Sequence, residues 1–293
     1  MQKFEILFDR APEHPAVADP AFELYGPLGF PEPPDERPWI YTNFAQSLDG
    51  MVSFRGKHAS GGDISGSAED RWLMDLLRAH ADAVMVGLTT LIAETEMTRD
   101  RRPRGPVFRI MDPDLRSLRK RLGRRREMNI IVTGGLRLRL SDYRLFDGDY
   151  VDAVVLTTRR GAAHLQEQGP PPHVRILSCG EGDRVPLEQA TQMLRRELDL
   201  RYLLCEGGPT LYGWLSRAGL VDEKFLTVAP VEIGQLVPPE QEPTVGERTA
   251  VPVFRPTVFN APGFLKETAP HWHWLSCRRV GDQQFSRYRR VRQ

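Results

Sequence analysis

The chain has 293 residues, of which 40% are hydrophobic and 27% charged, and its formal net charge is +1. This composition suits a globular protein of one large or two small domains, without an overall electrostatic preference for nucleic acid or anionic membranes. No apolar run approaches the ~20 residues that span a bilayer, and residues 1–10 lack the apolar core of a signal peptide. We therefore expect a cytoplasmic protein. Three widely spaced cysteines argue against a disulfide framework, and no metal site is predicted.

The segment 1–37 carries seven prolines and little periodicity. This composition predicts an irregular N-terminal arm that packs on the domain or on a partner subunit. From residue 38 to residue 293, predicted strands and helices alternate along the chain. The alternation predicts an α/β fold with a mostly parallel central sheet and helices on both faces.

The predicted elements follow from apolar periodicity and from capping residues. Strands are predicted over 39–44, 83–87, 129–133, 153–157, 174–177, 202–206 and 224–229. Helices are predicted over 67–79, with Ser67 as the N-cap, and over 187–199 and 209–217. Residues 231–271 hold many prolines and predict a loop-rich segment. The segments 273–280 and 284–291 flank a short turn at Gly281 and Asp282, which predicts a C-terminal antiparallel hairpin.

The most informative local pattern lies at the end of the strand 202–206. Gly207 and Gly208 follow Glu206, Pro209 fits the first helical position, and Gly219 fits the residue after the helix end. Free backbone N–H groups and the helix dipole would meet a ligand there, and the glycines would let a phosphate come close. The pattern predicts an anion site, although an ordinary strand–helix turn shares it.

This block, from Glu206 to Leu211 and on through Pro230, resembles the C-terminal signature of the bacterial riboflavin-biosynthesis reductase domain. Earlier blocks at 39–50, 64–79 and 81–90 resemble the same domain in the same order. Together they cover roughly residues 38–230, and the chain is most similar to the stand-alone pyrimidine reductase subgroup. The resemblance implies a dihydrofolate-reductase-like fold, NADPH as cofactor and a homodimer.

The resemblance also implies a reaction. The family reduces a substrate of the 5-amino-6-(5-phosphoribosylamino)uracil type to its ribitylamino form in riboflavin biosynthesis. One alternative is reduction of another imine or a pteridine-like substrate on the same scaffold. Another is a non-catalytic nucleotide- or nucleic-acid-binding protein that uses the basic run 116–126. We favour a solvated basic helix for this run, because Leu115, Leu118 and Leu122 recur at helical spacing.

The resemblance assigns roles to individual positions. Arg159 or its neighbour Arg160 could pair with the 2′-phosphate of NADPH in fork geometry. The predicted cofactor-binding residues are Asn43, Gly87, Thr90, Thr133, Gly134, Thr157, Thr158, Arg159, Gly207, Gly208, Pro209, Thr210 and Leu211. The predicted substrate-binding residues are Ser47, Ser65, Arg71 and Arg99. The candidate proton donors are Asp49, Glu94 and Glu206, since burial can keep a carboxyl protonated near neutral pH.

Two positions depart from the family pattern. Met51 stands where many members have a basic residue, and the segment 94–97 replaces an Asp-Asp-Pro or Asp-Asn-Pro turn. These departures predict altered substrate choice more than loss of NADPH reduction.

Overall fold

The computed structural model describes residues 1–55, 61–98, 104–148, 150–238 and 253–292. The strands are β1 (Glu5–Asp9), β2 (Trp39–Gln46), β3 (Ala83–Gly87), β4 (Met128–Val132), β5 (Asp152–Thr157), β6 (Val174–Ser178), β7 (Tyr202–Gly207), β8 (Glu223–Val228), β9 (Trp272–Val280) and β10 (Gln283–Arg290). The α-helices are α1 (Ala21–Tyr25), α2 (Gly61–Ser65), α3 (Ala68–His80), α4 (Leu88–Thr98), α5 (Pro113–Arg121), α6 (Arg159–Gln166), α7 (Leu187–Leu198) and α8 (Pro209–Arg217).

The strands form a single sheet in the order β1-β9-β10-β8-β2-β7-β3-β4-β5-β6. From β8 to β6 every pair of neighbours is parallel, while β10, β9 and β1 extend the sheet by antiparallel pairing. At the centre of the sheet, Thr42 of β2 lies opposite Cys205 of β7 and Lys224 of β8. The predicted parallel sheet and the predicted C-terminal hairpin are confirmed.

Helices cover both faces because the central strands are apolar on both sides. In β3, Val84 and Val86 join a core with α3 and α5, while Ala83 and Met85 join a second core with α7 and α8. Alternate residues of a strand point to opposite faces, so a continuous apolar run suits a strand buried on both sides.

Helix ends follow the capping residues predicted from the sequence. The Ser67 hydroxyl accepts a hydrogen bond from the Asp70 N–H at 3.0 Å and starts α3. Pro209 begins α8, and Gly219, with a φ of 70°, follows the end of that helix in the left-handed region. These ends fix where the chain leaves each strand, and hence where the loops of the sheet edge lie.

The N-terminal arm is more ordered than predicted. β1 pairs with β9, α1 lies within the arm, and Phe4 is buried in the core. β1 is a short edge strand whose partner lies about 270 residues later, so its local sequence gives little signal for pairing. The division of the chain at residue 37 stays a prediction.

The basic run forms α5 and the turn after it, but it is not simply solvated. Leu115, Leu118 and Arg119 are buried, and the Arg119 guanidinium donates to the backbone carbonyls of Arg78 and Ala81. Arg119 thus fastens α5 to the end of α3, while most of the other cations of the run are exposed, as expected for a solvated basic helix. None of the described helices has the length and apolar character needed to cross a membrane.

Candidate active site

Two cavities open at the edge of the sheet where the parallel strands have their carboxyl ends. β3 ends at Gly87 and leads directly into α4, while β7 ends at Gly207, just before α8. β4 ends at Val132 and is followed by Thr133 and Gly134. Ligands of open α/β sheets bind at such edges, so both cavities are candidate ligand sites.

The first cavity has a volume of about 790 Å³ and lies against the amino-terminal ends of α4 and α8. Its far wall is built by the turn after β4 and by the segment 183–189, which leads into α7. This volume falls within the range of cofactor sites. Eight of the predicted cofactor-binding residues line the cavity, namely Gly87, Thr90, Thr133, Gly134, Gly208, Pro209, Thr210 and Leu211.

The start of α8 has the features of a phosphate site. Gly208 is the N-cap and has no side chain to accept hydrogen bonds from the first turn, and Pro209 has no N–H. The N–H groups of Thr210 and Leu211 are therefore left for a ligand at the cavity wall. A Cβ on Gly208 would come within 2.8 Å of the Thr90 Oγ1, so this wall has no room for a side chain. These donors fit the pyrophosphate of a nicotinamide dinucleotide.

The other predicted cofactor-binding residues lie outside the wall of this cavity. Thr157 and Thr158 are fully buried, and the Thr158 hydroxyl caps α6 by accepting from the Gly161 N–H at 3.1 Å. Arg159 is exposed and pairs with Glu181 at 2.7 Å. Thr157 and Thr158 do not line this cavity, and their assignment to cofactor contact stays a prediction. Gly207 immediately precedes the wall residue Gly208, and Asn43 lines the second cavity instead.

Two arginines that the sequence reading missed line the first cavity, Arg137 and Arg184. The Arg184 guanidinium lies over the ring of Trp214, another wall residue, at 5.1 Å. A Cβ on Gly134 would lie 3.2 Å from the Asp183 carbonyl oxygen, so the turn after β4 touches the segment that carries Arg184. A signal for Arg137 was present, since it follows the polar, glycine-bearing end of β4 by a few residues.

The second cavity has a volume of about 620 Å³ and adjoins the first. Thr90, Gly208 and Pro209 line both cavities and so mark the place where they meet. The end of β2, one face of α3, the segment 106–112 and the end of β7 complete its walls. Besides these three junction residues, the cavity brings together four more of the predicted site residues, which are Asn43, Arg71, Glu94 and Glu206.

A buried ion-pair network forms one side of the second cavity. Arg78 binds Glu206 through two hydrogen bonds of 2.6 and 2.7 Å, and it also contacts Asp75 at 3.2 Å. Burial disfavours the charged guanidinium, but attraction to the Glu206 and Asp75 carboxylates outweighs this and raises the pKa of Arg78. Glu206 is therefore held as an ion-paired carboxylate, which can accept hydrogen bonds but is poorly suited to donate a proton.

Asp70 is a wall residue that the sequence reading missed. It is 8% exposed, and its Oδ1 accepts a hydrogen bond from the Thr227 hydroxyl at 2.6 Å. Burial raises the pKa of the Asp70 carboxyl, and the hydrogen bond from Thr227 only partly opposes the shift. A carboxyl in this environment can carry a proton at higher pH than usual. The burial of Asp70 depends on β8, which lies far away in the sequence.

The two other candidate proton donors occupy different environments. Glu94 lies in α4 and lines the second cavity, close to the junction residue Thr90 in sequence. Asp49 lies outside the walls of both cavities, where it bonds the Ser47 hydroxyl and accepts from the Gly234 N–H at 2.7 Å. The Ser47 hydrogen bond lowers the pKa of the Asp49 carboxyl. Asp49 therefore anchors a loop as a carboxylate, which corrects its assignment as a proton donor.

The two predicted substrate-binding serines, Ser47 and Ser65, lie near the cavities in sequence but are both buried. Ser47 is buried and accepts from the Met51 N–H at 3.0 Å, and Ser65 is buried and accepts at its carbonyl oxygen from Gln283. Neither serine lines the walls of the two cavities, and the Ser65 hydroxyl has no hydrogen-bond partner among the described residues, so their assignment to substrate contact stays a prediction. Arg99 lies outside the described residues. Within the described ranges, no group of three His, Cys, Asp or Glu side chains is arranged to hold a metal ion.

Residues 38–251 match the model of the RibD C-terminal domain. The 2,5-diamino-6-ribosylamino-4(3H)-pyrimidinone 5′-phosphate reductase of Archaeoglobus fulgidus is 29% identical over 199 residues, which are 68% of this chain and 83% of that protein. The riboflavin biosynthesis protein RibD of Actinobacillus pleuropneumoniae is 25% identical over 223 residues. That match covers 72% of this chain but only 50% of the longer relative.

Solved structures show the same fold. RibD of Acinetobacter baumannii aligns with a TM-score of 0.59 at 21% identity, over 88% of this chain and 59% of that one. A pyrimidine reductase-like protein from Corynebacterium diphtheriae aligns with a TM-score of 0.56 at 22% identity, over 87% of this chain and 93% of that one. The family match, which spans most of the chain, and the shared fold lead to one conclusion. The chain belongs to the RibD C-terminal domain family, with the dihydrofolate-reductase-like fold.

Proposed function

We propose that the protein is an NADPH-dependent reductase of riboflavin biosynthesis. Its substrate in this proposal is of the 5-amino-6-(5-phosphoribosylamino)uracil type, and its product is the ribitylamino form. The observation that carries the proposal is the meeting of two cavities at Thr90, Gly208 and Pro209. A hydride can pass only between groups in contact, so a cofactor in one cavity and a substrate in the other must meet there.

The first cavity suits the cofactor in one direction. If the nicotinamide lies at the junction, the pyrophosphate falls near the N–H groups of Thr210 and Leu211. The adenosine then reaches the far wall, where Arg137 and Arg184 lie. Guanidinium groups pair well with phosphate and stack on flat rings, so we assign the 2′-phosphate to these two arginines. Arg159, which is already paired with Glu181 outside this wall, becomes the weaker candidate.

The second cavity suits a phosphorylated, amino-substituted pyrimidine. Arg71 is an exposed cation in its wall and is our candidate for the substrate phosphate. In the wall of this cavity, the buried Asn43 Oδ1 has no hydrogen-bond partner among the residues that the structure describes. An acceptor in this position suits an N–H group of the substrate, because a buried polar atom is stabilised by gaining a partner.

The reaction requires a hydride at C1′ of the opened sugar and a proton at the attached nitrogen. Bound NADPH supplies the hydride. The protein holds the sugar at the junction and supplies the proton from Asp70 or Glu94, which both line the substrate cavity. Asp70 is the better candidate because burial raises its pKa. Glu206, fixed by Arg78, accepts hydrogen bonds from substrate hydroxyl or amino groups.

Relatives whose names specify a 2,5-diaminopyrimidinone favour a second substrate candidate, the 2-amino form of the same phosphoribosylated pyrimidine. Reduction of another imine or a pteridine-like compound is the remaining enzymatic alternative. The nucleic-acid alternative rests on the basic run alone and is less well supported than a reductase, because two ligand-sized cavities lie at the sheet edge, away from that run. A homodimer and a cytoplasmic location are part of the proposal.

The proposal is tested first by binding and then by turnover. Fluorescence titration of the protein with NADPH and with NADH should show tighter NADPH binding. Oxidation of NADPH should then depend on added phosphoribosylaminopyrimidine, in the uracil or the 2-amino form. Arg71→Ala should raise the KM for the phosphorylated substrate and leave NADPH binding unchanged. Absence of NADPH binding, or turnover that ignores the substrate phosphate, would contradict the proposal.

A further inference from the structure

The N-terminal segment, residues 1–4, lies at the second cavity. Met1 is one of the residues of the cavity wall, beside Ala68 and Arg71 of α3. The family match begins at residue 38, so this segment lies outside the matched range. The predicted arm thus reaches the cavity that we assign to the substrate.

Three contacts fix the segment in place. The Gln2 N–H donates to Glu69 Oε1 at 3.0 Å, and the Phe4 N–H donates to the Leu24 carbonyl at 2.9 Å. The Phe4 side chain is 1% exposed. Its ring packs against Tyr25 at 5.1 Å, Phe285 at 5.0 Å and Trp72 at 5.9 Å between centroids. The Gln2 hydrogen bond also lowers the pKa of the Glu69 carboxyl.

The next part of the arm holds the segment from the other side. β1 begins at Glu5, directly after Phe4, and pairs with β9. Glu5 also binds the Arg279 guanidinium at 2.6 and 2.9 Å. Residues 1–4 are therefore stretched between the sheet edge and the first turn of α3. Because Trp72 lines the cavity and packs on Phe4, the segment supplies one wall residue and supports another.

We infer that residues 1–4 complete the substrate site by closing the second cavity beside Ala68 and Arg71. The occupant is the phosphorylated pyrimidine, so this inference rests on the proposed function. The segment contributes apolar surface to the wall and keeps Trp72 in place. Met1 does not line the first cavity, so the segment should leave cofactor binding unaffected.

The contact between Gln2 and Glu69 allows a sharp test. Gln2→Pro removes the backbone N–H that donates to Glu69, while Gln2→Ala keeps this N–H and serves as the matched control. Glu69→Ala removes the acceptor, and Glu69 lies outside the cavity wall. We expect Gln2→Pro to raise the substrate KM about fivefold, the equivalent of one ordinary hydrogen bond. kcat and the NADPH dissociation constant should stay within twofold of wild type, roughly the scatter of such measurements.

A double-mutant cycle separates this contact from general damage. If both substitutions break the same hydrogen bond, Gln2→Pro with Glu69→Ala should raise KM no further than either alone. The inference would be overturned if the KM increases of the two single variants multiplied in the double variant. An equal KM increase in Gln2→Ala, or a loss of NADPH affinity alongside the change in KM, would also overturn it.

Amide hydrogen exchange of the ligand-free protein tests the docking of the segment without any substrate. The N–H groups of Gln2 and Phe4 should be protected in the wild type, and Gln2→Pro should speed exchange in the N-terminal peptide. If these amides of the wild type exchanged as fast as those of an unstructured chain, the inference would be overturned, whichever substrate the enzyme reduces. Protected amides in a protein that does not reduce the pyrimidine would contradict the proposed function and with it the role of the segment at a substrate.

Discussion

The two cavities are built by different means. The first is lined largely by residues at or just after strand ends in the sequence, such as Gly87, Gly134 and Gly208. The second depends on contacts between distant parts of the chain, such as Arg78 with Glu206 and Asp70 with Thr227. A site for a shared cofactor can be assembled from backbone turns, whereas a site for a particular substrate needs side chains from several elements. We expect substitutions in the two cavities to separate cofactor binding from substrate chemistry.

The largest effect is expected in the ion-pair network of the second cavity. Arg78→Ala leaves Glu206 and Asp75 buried without their counter-charge, and it should lower the free energy of unfolding by about 3–5 kcal/mol. Urea denaturation measures this change. Arg71→Ala removes an exposed arginine from the same helix and should change stability by less than about 0.5 kcal/mol. Equal stability losses in the two variants would show that the network does not support the cavity.

The next largest effect is expected at Asp70. Asp70→Asn removes the proposed proton donor and should lower kcat about 100-fold, the usual scale for loss of a general acid. NADPH affinity, measured by fluorescence titration, should not change, because Asp70 lies in the second cavity alone. Glu94→Gln is the comparison variant. A loss of kcat in Glu94→Gln together with full activity in Asp70→Asn would identify Glu94 as the proton donor instead of Asp70.

Asp70→Asn should also change how the stability of the protein depends on pH. The pKa of Asp70 is raised in the folded protein, so folding favours the protonated carboxyl. The stability that results is present at low pH and is lost as the pH rises from the ordinary pKa through the raised one. Asn does not titrate, so the wild type should lose stability relative to Asp70→Asn over this rise. The free energy of unfolding should be measured for both proteins at a series of pH values. Parallel curves of this free energy against pH would contradict the raised pKa of Asp70.

A smaller effect is expected at the start of α8. A Cβ on Gly208 would meet the Thr90 Oγ1 at 2.8 Å, so Gly208→Ala must displace part of the wall between the cavities. We expect NADPH affinity to fall roughly tenfold, as for a lost phosphate contact. Gly263→Ala is the control, because a Cβ there meets nothing within 4 Å. Titration curves that coincide for the two variants would place the cofactor elsewhere.

The smallest effect should be confined to cofactor preference. Arg184→Ala and Arg137→Ala should each reduce the preference for NADPH over NADH by about five- to tenfold, because NADH lacks the 2′-phosphate. Arg159→Ala should leave the preference unchanged, since Arg159 pairs with Glu181 outside the cavity wall. The ratio of the two dissociation constants is the measurement. A drop in preference for Arg159→Ala alone would restore the assignment made from the sequence.

The sequence predicted those parts of the fold that depend on local patterns. The apolar runs of β3 and β7, the Ser67 cap and the turn around Gly208 all lie where capping and periodicity place them. The strand β1 was missed because its pairing comes from β9, at the far end of the chain. The helix α6 is absent from the predicted helices, although Thr158 is a sound N-cap for it.

The candidate site was predicted in part for the same reason. Glycines and threonines at strand ends mark the first cavity, because the carboxyl ends of parallel strands meet at one edge. Burial and ion pairing are not visible in a sequence, so Asp49 and Glu206 could not be told apart from Asp70 as proton donors. Arg78 gave no separate signal, since an arginine near the end of a helix is usually a surface residue.

A crystal structure of the protein with NADP⁺ bound tests the central claim most directly. We predict the nicotinamide ring at the junction beside Thr90 and Gly208, the pyrophosphate at the start of α8 and the 2′-phosphate at Arg137 and Arg184. A cofactor with its adenosine at the junction, or one bound outside the first cavity, would contradict the account of the two cavities.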